Sequence, residues 1–249
     1  YATDASVYRI LPLAVAYPKT INDIKKLIDF AKNNNTSLIP RTAGTSLAGQ
    51  CVGNGIVVDV SKHFNKIISL DKKNRTVTVQ PGVVRDQLNN YLKPFGLFFG
   101  PNTSTSNRCM IGGMVGNNSS GTTSIKYGVT RDKVIQLKTI LSDGSEAVFN
   151  SKTKSEVQQL KSNNNLEANV YKVLDEIISS EKITNEIKNN FPKPEIHRRN
   201  TGYAIDELIE KEDVNVAKLL AGSEGTLAFT TEITLQLDTL PPKHRVMVA

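Results

Sequence analysis

The chain has 249 residues, 39% of them hydrophobic, with a net charge of +7 and a pI near 9.3. That supports one large domain, or one domain of two lobes, with a real core. No apolar run reaches the roughly 20 residues of a membrane-spanning helix, no cleavable signal pattern is visible, and two cysteines cannot build a four-cysteine zinc or iron–sulfur site. The basic excess is spread along the chain and aromatic content is only 6%, unlike the clustered footprint of a nucleic-acid binder. Cys51 and Cys109 are expected as reduced, buried thiols. Tyr1 at the start and the open ending at 246–249 read as an excised or trimmed domain.

In chain order, residues 13–17 form a short strand ended by Pro18. Thr20 is the expected N-cap of a helix, Ile21–Asn33, in which Ile24, Leu27, Ile28 and Ala31 share one face. Residues 37–40 form a strand that feeds a glycine-rich loop, Arg41-Thr42-Ala43-Gly44-Thr45-Ser46-Leu47-Ala48-Gly49-Gln50. Residues 56–60 form the strand that leaves it. Residues 66–70 and 76–80 read as strands around a turn. Residues 83–93 read as an amphipathic helix stopped by Gly96. A second glycine-rich segment starts at Gly100-Pro101. It continues through Ile111-Gly112-Gly113-Met114-Val115-Gly116-Asn117-Asn118-Ser119-Ser120-Gly121 to Tyr127-Gly128. Residues 134–141 and 146–149 flank the hairpin signal Ser142-Asp143-Gly144. Residues 151–199 are polar and helical in pattern, with Val170, Leu174, Ile177 and Ile178 as the expected buried face. Residues 227–237 make a last long strand, and Pro241-Pro242 end the domain. The fold class is α+β.

Both glycine-rich segments set Gly, Ser, Thr and Asn between apolar flanks. Such segments bring bare backbone N–H groups against phosphate. Two of them in one domain suit a long ligand gripped at two places, as a dinucleotide is. The first has Walker-like glycine spacing but carries Gln50 where an NTPase needs its lysine. No GxGxxG links a strand to a helix, so a Rossmann site is excluded. Among the histidines, His63 reads as a surface turn residue and His244 lies in the tail. His197 adjoins Arg198-Arg199, whose charge disfavours an imidazolium. None is assigned as a catalytic base.

These segments resemble the FAD-linked oxidases of the vanillyl-alcohol-oxidase fold, whose FAD-binding domain is called PCMH-type. The nearest branch is that of the D-lactate, glycolate and D-2-hydroxyglutarate dehydrogenases. The resemblance is carried by Asp4-Ala5-Ser6-Val7-Tyr8-Arg9, Pro18-Lys19-Thr20, residues 41–50, residues 100–132, Asn200-Thr201-Gly202-Tyr203 and residues 222–232. The variant at 197–203 looks most like long members fused to an iron–sulfur domain. The resemblance implies a two-lobed domain over 1–240. A small N-terminal α/β lobe covers about 1–62, and a larger lobe of mixed or antiparallel sheet with helices covers about 63–240. The latter includes a helical insertion at 151–199, and 241–249 begin a linker to a C-terminal substrate domain.

The resemblance also implies residue roles. The backbone from Arg41 and Thr42 through Ala43, Gly44, Thr45 and Ser46 holds the FAD pyrophosphate, and Gly49 and Gln50 close that loop. Pro101, Ser106 and Asn107 line the flavin side, where Ile111, Gly112 and Gly113 allow close passage. Asn117, Asn118, Ser120 and Gly121 continue the contacts toward Tyr127 and Gly128. Phe229 and Thr230 approach the adenosine end. Glu224 reads equally as a turn carboxylate or a ligand. FAD is expected to be noncovalent, because Thr45 stands where covalent members carry histidine; Cys109 is the second attachment position in some oxidases. The implied reaction takes a D-2-hydroxyacid to its 2-ketoacid, a base removing the hydroxyl proton while hydride passes to flavin N5. The substrate-carboxylate arginine, the metal-ligand histidines and the base lie mostly in the C-terminal domain of the family, so no catalytic or metal residue is assigned here. Arg199 and Tyr203 are the substrate-side candidates. The implied electron acceptor is a quinone, an electron-transfer protein or an iron–sulfur domain, in the cytoplasm or at the inner-membrane periphery. A sugar or alcohol oxidase, a flavin reductase of the same fold and a non-catalytic FAD-binding module remain as alternatives.

Overall fold

The computed structural model describes residues 1–241 apart from Pro194, His197, Asn200, Thr201 and Glu210. His197, His244, Pro242 and the first half of the Asn200–Tyr203 signature therefore lie outside the described residues.

The chain opens with β1 (Ala14–Ala16), α1 (Ile21–Asn33), β2 (Leu38–Arg41) and β3 (Ile56–Asp59). The strands form a parallel sheet in the order β1-β3-β2. All four residues of the central β3 are buried, as a strand covered on both faces requires. Thr20 starts α1 as its sequence indicates. Its hydroxyl accepts from the Asp23 N–H at 3.2 Å, and the Asp23 carboxylate accepts from the Thr20 N–H at 2.9 Å. Replacing Thr20 by alanine removes one half of this reciprocal cap. It should lower stability by about 1 kcal/mol, read from the urea midpoint.

Next come β4 (Ile67–Asp71), β5 (Thr76–Val79), α2 (Arg85–Leu92), β6 (Leu97–Phe98) and three short helices, α3 (Ile111–Asn117), α4 (Ser124–Tyr127) and α5 (Thr130–Lys133). They are followed by β7 (Val134–Ile140), β8 (Glu146–Phe149), β9 (Ser151–Lys152), α6 (Lys154–Lys161), α7 (Leu166–Ser179) and α8 (Glu181–Asn190). The described chain closes with β10 (Val214–Asn215), α9 (Val216–Leu220), β11 (Phe229–Gln236) and β12 (Asp238–Thr239). The larger sheet is antiparallel, in the order β4-β5-β11-β7-β8. β11 is its spine. Phe229, Thr231, Ile233 and Leu235 are buried and the residues between them are not, the period-two pattern of a half-covered sheet. Ile233 sits opposite both Val79 and Leu137.

One core lies between this sheet and the helices and includes Leu88, Ile111, Met114, Phe149 and Tyr171. A second joins Ile24, Ile56, Val58 and Phe64 to Ile140 and Phe229 of the larger sheet. The two sheets thus share apolar contact where α1 and β3 meet the end of β7 and the start of β11.

Two expectations are corrected. The stretch Ile111–Asn117 is a helix, not open loop, although three of its seven residues are glycine. Tertiary contact overrides the helix cost of glycine there. The buried face of α7 is Ala168, Tyr171 and Leu174, with Val170, Ile177 and Ile178 only half-buried. Tyr171 is fully buried, its ring 6.2 Å from that of Phe149, and so carries the anchoring of the insertion.

Candidate functional site

The loop after β2 is shaped by what surrounds it. Gly44 has φ +65°, a left-handed turn beside the Arg41 guanidinium. That guanidinium donates to the Thr3 carbonyl at 2.8 Å and reaches the Tyr1 and Cys51 carbonyls at 3.4 and 3.5 Å. The Ala5 N–H donates to the Ser46 carbonyl at 3.1 Å. The N-terminal segment therefore straps the loop from outside. Gln50 folds back to accept from the Ala48 N–H at 3.1 Å.

α3 forms the opposite wall. The N–H groups of Ile111 and Gly112 donate to the carbonyls of Val83 and Pro81 at 2.9 and 2.8 Å. A Cβ on Gly113 would lie 2.6 Å from Thr42 Oγ1, so glycine is what lets this helix approach the loop. The helix ends at Asn118, with φ +51°, fully buried, its carboxamide oxygen accepting from the Arg131 N–H at 2.8 Å.

The turn at 222–226 closes the third side. The N–H groups of Gly222 and Glu224 donate to the carbonyls of Val115 and Gly116, each at 2.9 Å. Asn117 Nδ2 donates to Glu224 Oε1 at 2.9 Å, and Gln50 also hydrogen-bonds that carboxyl. Gln50, Asn117 and Glu224 thus tie loop, helix and turn together. Burial pushes the Glu224 carboxyl above the usual carboxylate range, against the two hydrogen bonds that lower it. The folded chain therefore keeps this proton to higher pH than the unfolded chain does. Its favourable contribution is present below the ordinary carboxyl value and is lost as pH rises through the raised folded value. Glu224→Gln should flatten that loss, so the variant gains urea stability relative to the parent as pH rises above the ordinary carboxyl range. An unchanged difference across that range would remove Glu224 from the account.

The three walls enclose a cavity of about 570 Å³. Arg41, Thr42, Gly44, Thr45, Ser46 and Gln50 line it from the loop. Gly112, Gly113, Asn117 and Ser120 line it from α3 and its exit, and Glu224, Phe229 and Thr230 from the closing turn and β11. The other residues singled out from sequence stand behind this surface. Ala43 lies within the loop, and Gly49, with φ +80°, packs on the Tyr8 ring. The Pro101 carbonyl accepts from Arg85 Nε at 3.2 Å, Ser106 Oγ donates to Asp86 at 3.0 Å, and the Asn107 carboxamide oxygen accepts from Arg108 at 3.1 Å. Ile111 and Asn118 are fully buried. Gly121 lies directly on the Asn102 carbonyl, Tyr127 packs edge-on to Phe98 with ring centroids 4.9 Å apart, and Gly128 turns against Asp132. Arg199 and Tyr203 are not in the wall. Arg199 pairs with Asp206 at 2.6 Å and Glu207 at 3.1 Å, and the Tyr203 hydroxyl shares a 2.7 Å hydrogen bond with Thr226.

The wall also holds Thr103, Ser104, Thr105 and Arg108, which sequence reasoning passed over, together with both cysteines. The run of hydroxyls at 103–106 was the available signal. Cys51 and Cys109 are free and buried. Burial raises the Cys51 thiol, which keeps it protonated and a poor nucleophile. Among the described residues lining the cavity, Glu224 is the only acid. His63 lies exposed in the turn after β3.

Known proteins resemble this chain over most of its length. Residues 12–150, more than half of the chain, match the family described as FAD binding domain. The chain belongs to that FAD binding domain family. D-2-hydroxyglutarate dehydrogenase of Haemophilus influenzae is 39% identical over 99% of this chain, which covers 24% of that protein. The Escherichia coli protein of the same name is 37% identical over 99% of the chain, again covering 24% of the relative. Glycolate oxidase subunit GlcD of Bacillus subtilis is 31% identical over 94% of the chain, which spans 49% of it. The chain thus spans about a quarter of the length of its more similar relatives. A solved alkyldihydroxyacetonephosphate synthase shares the fold, with a TM-score of 0.59 at 18% identity, over 92% of this chain and 32% of that one.

The cavity suits the cofactor of this family. Its volume is in the range of small-molecule sites. Gly112 and Gly113 leave one wall as bare backbone, where added side-chain atoms would strike Pro81 and Thr42. The FAD binding domain contains no helix, among the described residues, that is long and apolar enough to cross a membrane.

Proposed function

We propose that this chain is the flavin-binding part of a dehydrogenase that oxidises a D-2-hydroxyacid to the 2-ketoacid. One observation carries the reading. Both glycine-rich segments face a single cavity, in a chain whose relatives at 37–39% identity are named for hydroxyacid oxidation. In this reading the backbone of 42–46 and the Ser46 hydroxyl bind the FAD pyrophosphate, with Arg41 bracing the loop and Gly49 and Gln50 closing it. Gly112, Gly113, Asn117 and Ser120 face the middle of the ligand, and Phe229 and Thr230 its adenosine end. Ile111, Asn118, Gly121, Tyr127 and Gly128 shape the wall from behind. When bound, FAD supplies the acceptor for the hydride leaving the substrate carbon. The chain's own part is to bind and orient that group and to keep water from it. Thr45 lines the cavity and cannot bond covalently to a flavin, and in this reading FAD is held noncovalently. The hydroxyacid, the base and an electron acceptor (a quinone, an electron-transfer protein or an iron–sulfur domain) meet in a longer protein, in the cytoplasm or at the membrane periphery.

The test has two parts. The chain mixed with FAD and desalted should stay yellow, and acid should release intact FAD from the precipitate. Anaerobic D-2-hydroxyglutarate, D-lactate or glycolate should then bleach the flavin of the full-length protein. A flavin that dithionite reduces but no 2-hydroxyacid does would leave only a binding module.

A further inference from the structure

Among the described residues, no N–H group of residues 43–47 donates a hydrogen bond to a backbone carbonyl. The loop after β2 leaves those donors to a ligand and does not hold its own shape with them. Much of its shape is set from outside, by the segment 1–9. Arg41, on the limb that enters the loop, donates to the carbonyls of Thr3 and Tyr1 at 2.8 and 3.4 Å. On the limb that leaves it, the Cys51 thiol donates to Asp4 at 3.7 Å. Between the limbs, the Ala5 N–H donates to the Ser46 carbonyl at 3.1 Å. Gly49 runs so close to Tyr8 that an added Cβ would lie 2.8 Å from its ring. The Tyr1 hydroxyl donates to the buried Asp59 at 2.6 Å and so fixes one end of the segment to β3. Thr3 and Arg9 form an antiparallel bridge within the segment. Ala5 itself lines the cavity.

The same segment buries almost nothing. Every residue from 1 to 10 is exposed or half-buried, and neither hydrophobic core draws on them. A segment held by polar contacts, with no buried apolar surface, lies at the low end of local stability and opens without unfolding the whole chain. Its opening would take away the outer contacts of the loop on both limbs and at Ser46.

We propose that residues 1–9 form a clasp on the loop at 42–50, and that the clasp lifts before FAD leaves. The proposal rests on the flavin-binding reading above and adds the element that controls cofactor exchange. Ala5 and Tyr8 are positioning residues in it, acting on the cofactor through Ser46 and Gly49. The coupling is reciprocal. FAD on the loop N–H groups holds the loop in the shape that the clasp fits, so bound FAD keeps the clasp down and a loosened clasp lets FAD go sooner.

The experiment uses FAD-loaded full-length protein and two variants that act at different points of the clasp. Ala5→Pro removes the N–H that meets Ser46, and Tyr8→Ala removes the ring that lies on Gly49. After large dilution, with release followed by flavin fluorescence, each should lose FAD about tenfold faster than the parent. Tyr8→Phe keeps the ring and should release FAD at the parent rate. The urea midpoint of the apoprotein should stay within error of the parent in all three, because the segment buries no core. In the parent, FAD should slow deuterium uptake over residues 1–10 about tenfold or more. A parent that holds FAD, with variants that release it no faster or uptake that FAD does not slow, would overturn the clasp and leave the flavin-binding reading standing. A large fall of the apoprotein midpoint in both Ala5→Pro and Tyr8→Ala would also overturn it, since the segment would then belong to the global fold. A parent that holds no FAD would overturn the flavin-binding reading and the clasp with it.

Discussion

Replacing Gly113 by alanine should leave the fold intact and remove most of the chain's affinity for FAD. The position is helical with no left-handed φ, so the backbone accepts alanine. The helix itself should gain about 1 kcal/mol from the exchange. The new methyl, however, would lie 2.6 Å from Thr42 Oγ1, across the gap between α3 and the loop. Thr42 and Gly113 both face the cavity, so relief comes by moving the loop that the pyrophosphate is proposed to use. Overpacking of this kind costs roughly 1–3 kcal/mol, which here falls on the bound state and amounts to about a tenfold to hundredfold loss of affinity. Flavin fluorescence titration measures it, and thermal melting of the apo chain should show no loss of stability. Thr42→Ala removes the offending hydroxyl. The double variant should recover much of the affinity, a non-additivity expected of residues in contact. Wild-type affinity in Gly113→Ala would show that the ligand does not depend on this approach.

Gly121→Ala should act on the fold itself. An added Cβ would overlap the backbone carbonyl oxygen of Asn102, and a backbone atom cannot swing aside as a side chain can. Gly121 is also held from the other side, its N–H donating to Ser124 Oγ at 2.9 Å. Three residues earlier, Asn118 is locked in a left-handed turn by its bond to the Arg131 N–H. The Thr130 hydroxyl holds the Ser119 carbonyl at 2.7 Å. The segment has nowhere to go, so about 3–5 kcal/mol of stability should be lost, the range of severe packing defects. Urea unfolding reads it directly. Added FAD should restore part of the midpoint, since a ligand that binds only the folded chain stabilises it by mass action. A loss under about 1 kcal/mol would mean that the strand-to-loop path at 100–103 shifts easily.

Much of the architecture was legible because it is local. Thr20 and Asp23 are three residues apart and cap α1 through their own backbone neighbours. The alternation in β11 records which face of a single strand meets the core. Ser142-Asp143-Gly144 turns β7 into β8, with Gly144 at φ +81°. The glycine-rich segments announced bare backbone, and with their order along the chain they pointed to the family that comparison then showed.

Other features depended on partners far away in sequence. The stretch Ile111–Asn117 reads as loop from its glycines. It is a helix whose glycines serve packing: Pro81 and Thr42 press so closely on Gly112 and Gly113 that side chains would not fit there. Tyr171 looks like one surface residue among many in a polar insertion, until the fold sets it against Phe149. Arg198 and Arg199 are adjacent and chemically identical. The fold gives one two carboxylate partners and leaves the other on Ser120 at the cavity. Residue pattern encodes which face of an element avoids water and where the backbone must turn. Which charges are answered, and which glycines face a wall, follow from contacts between segments distant in sequence, and those exist only once the chain is packed.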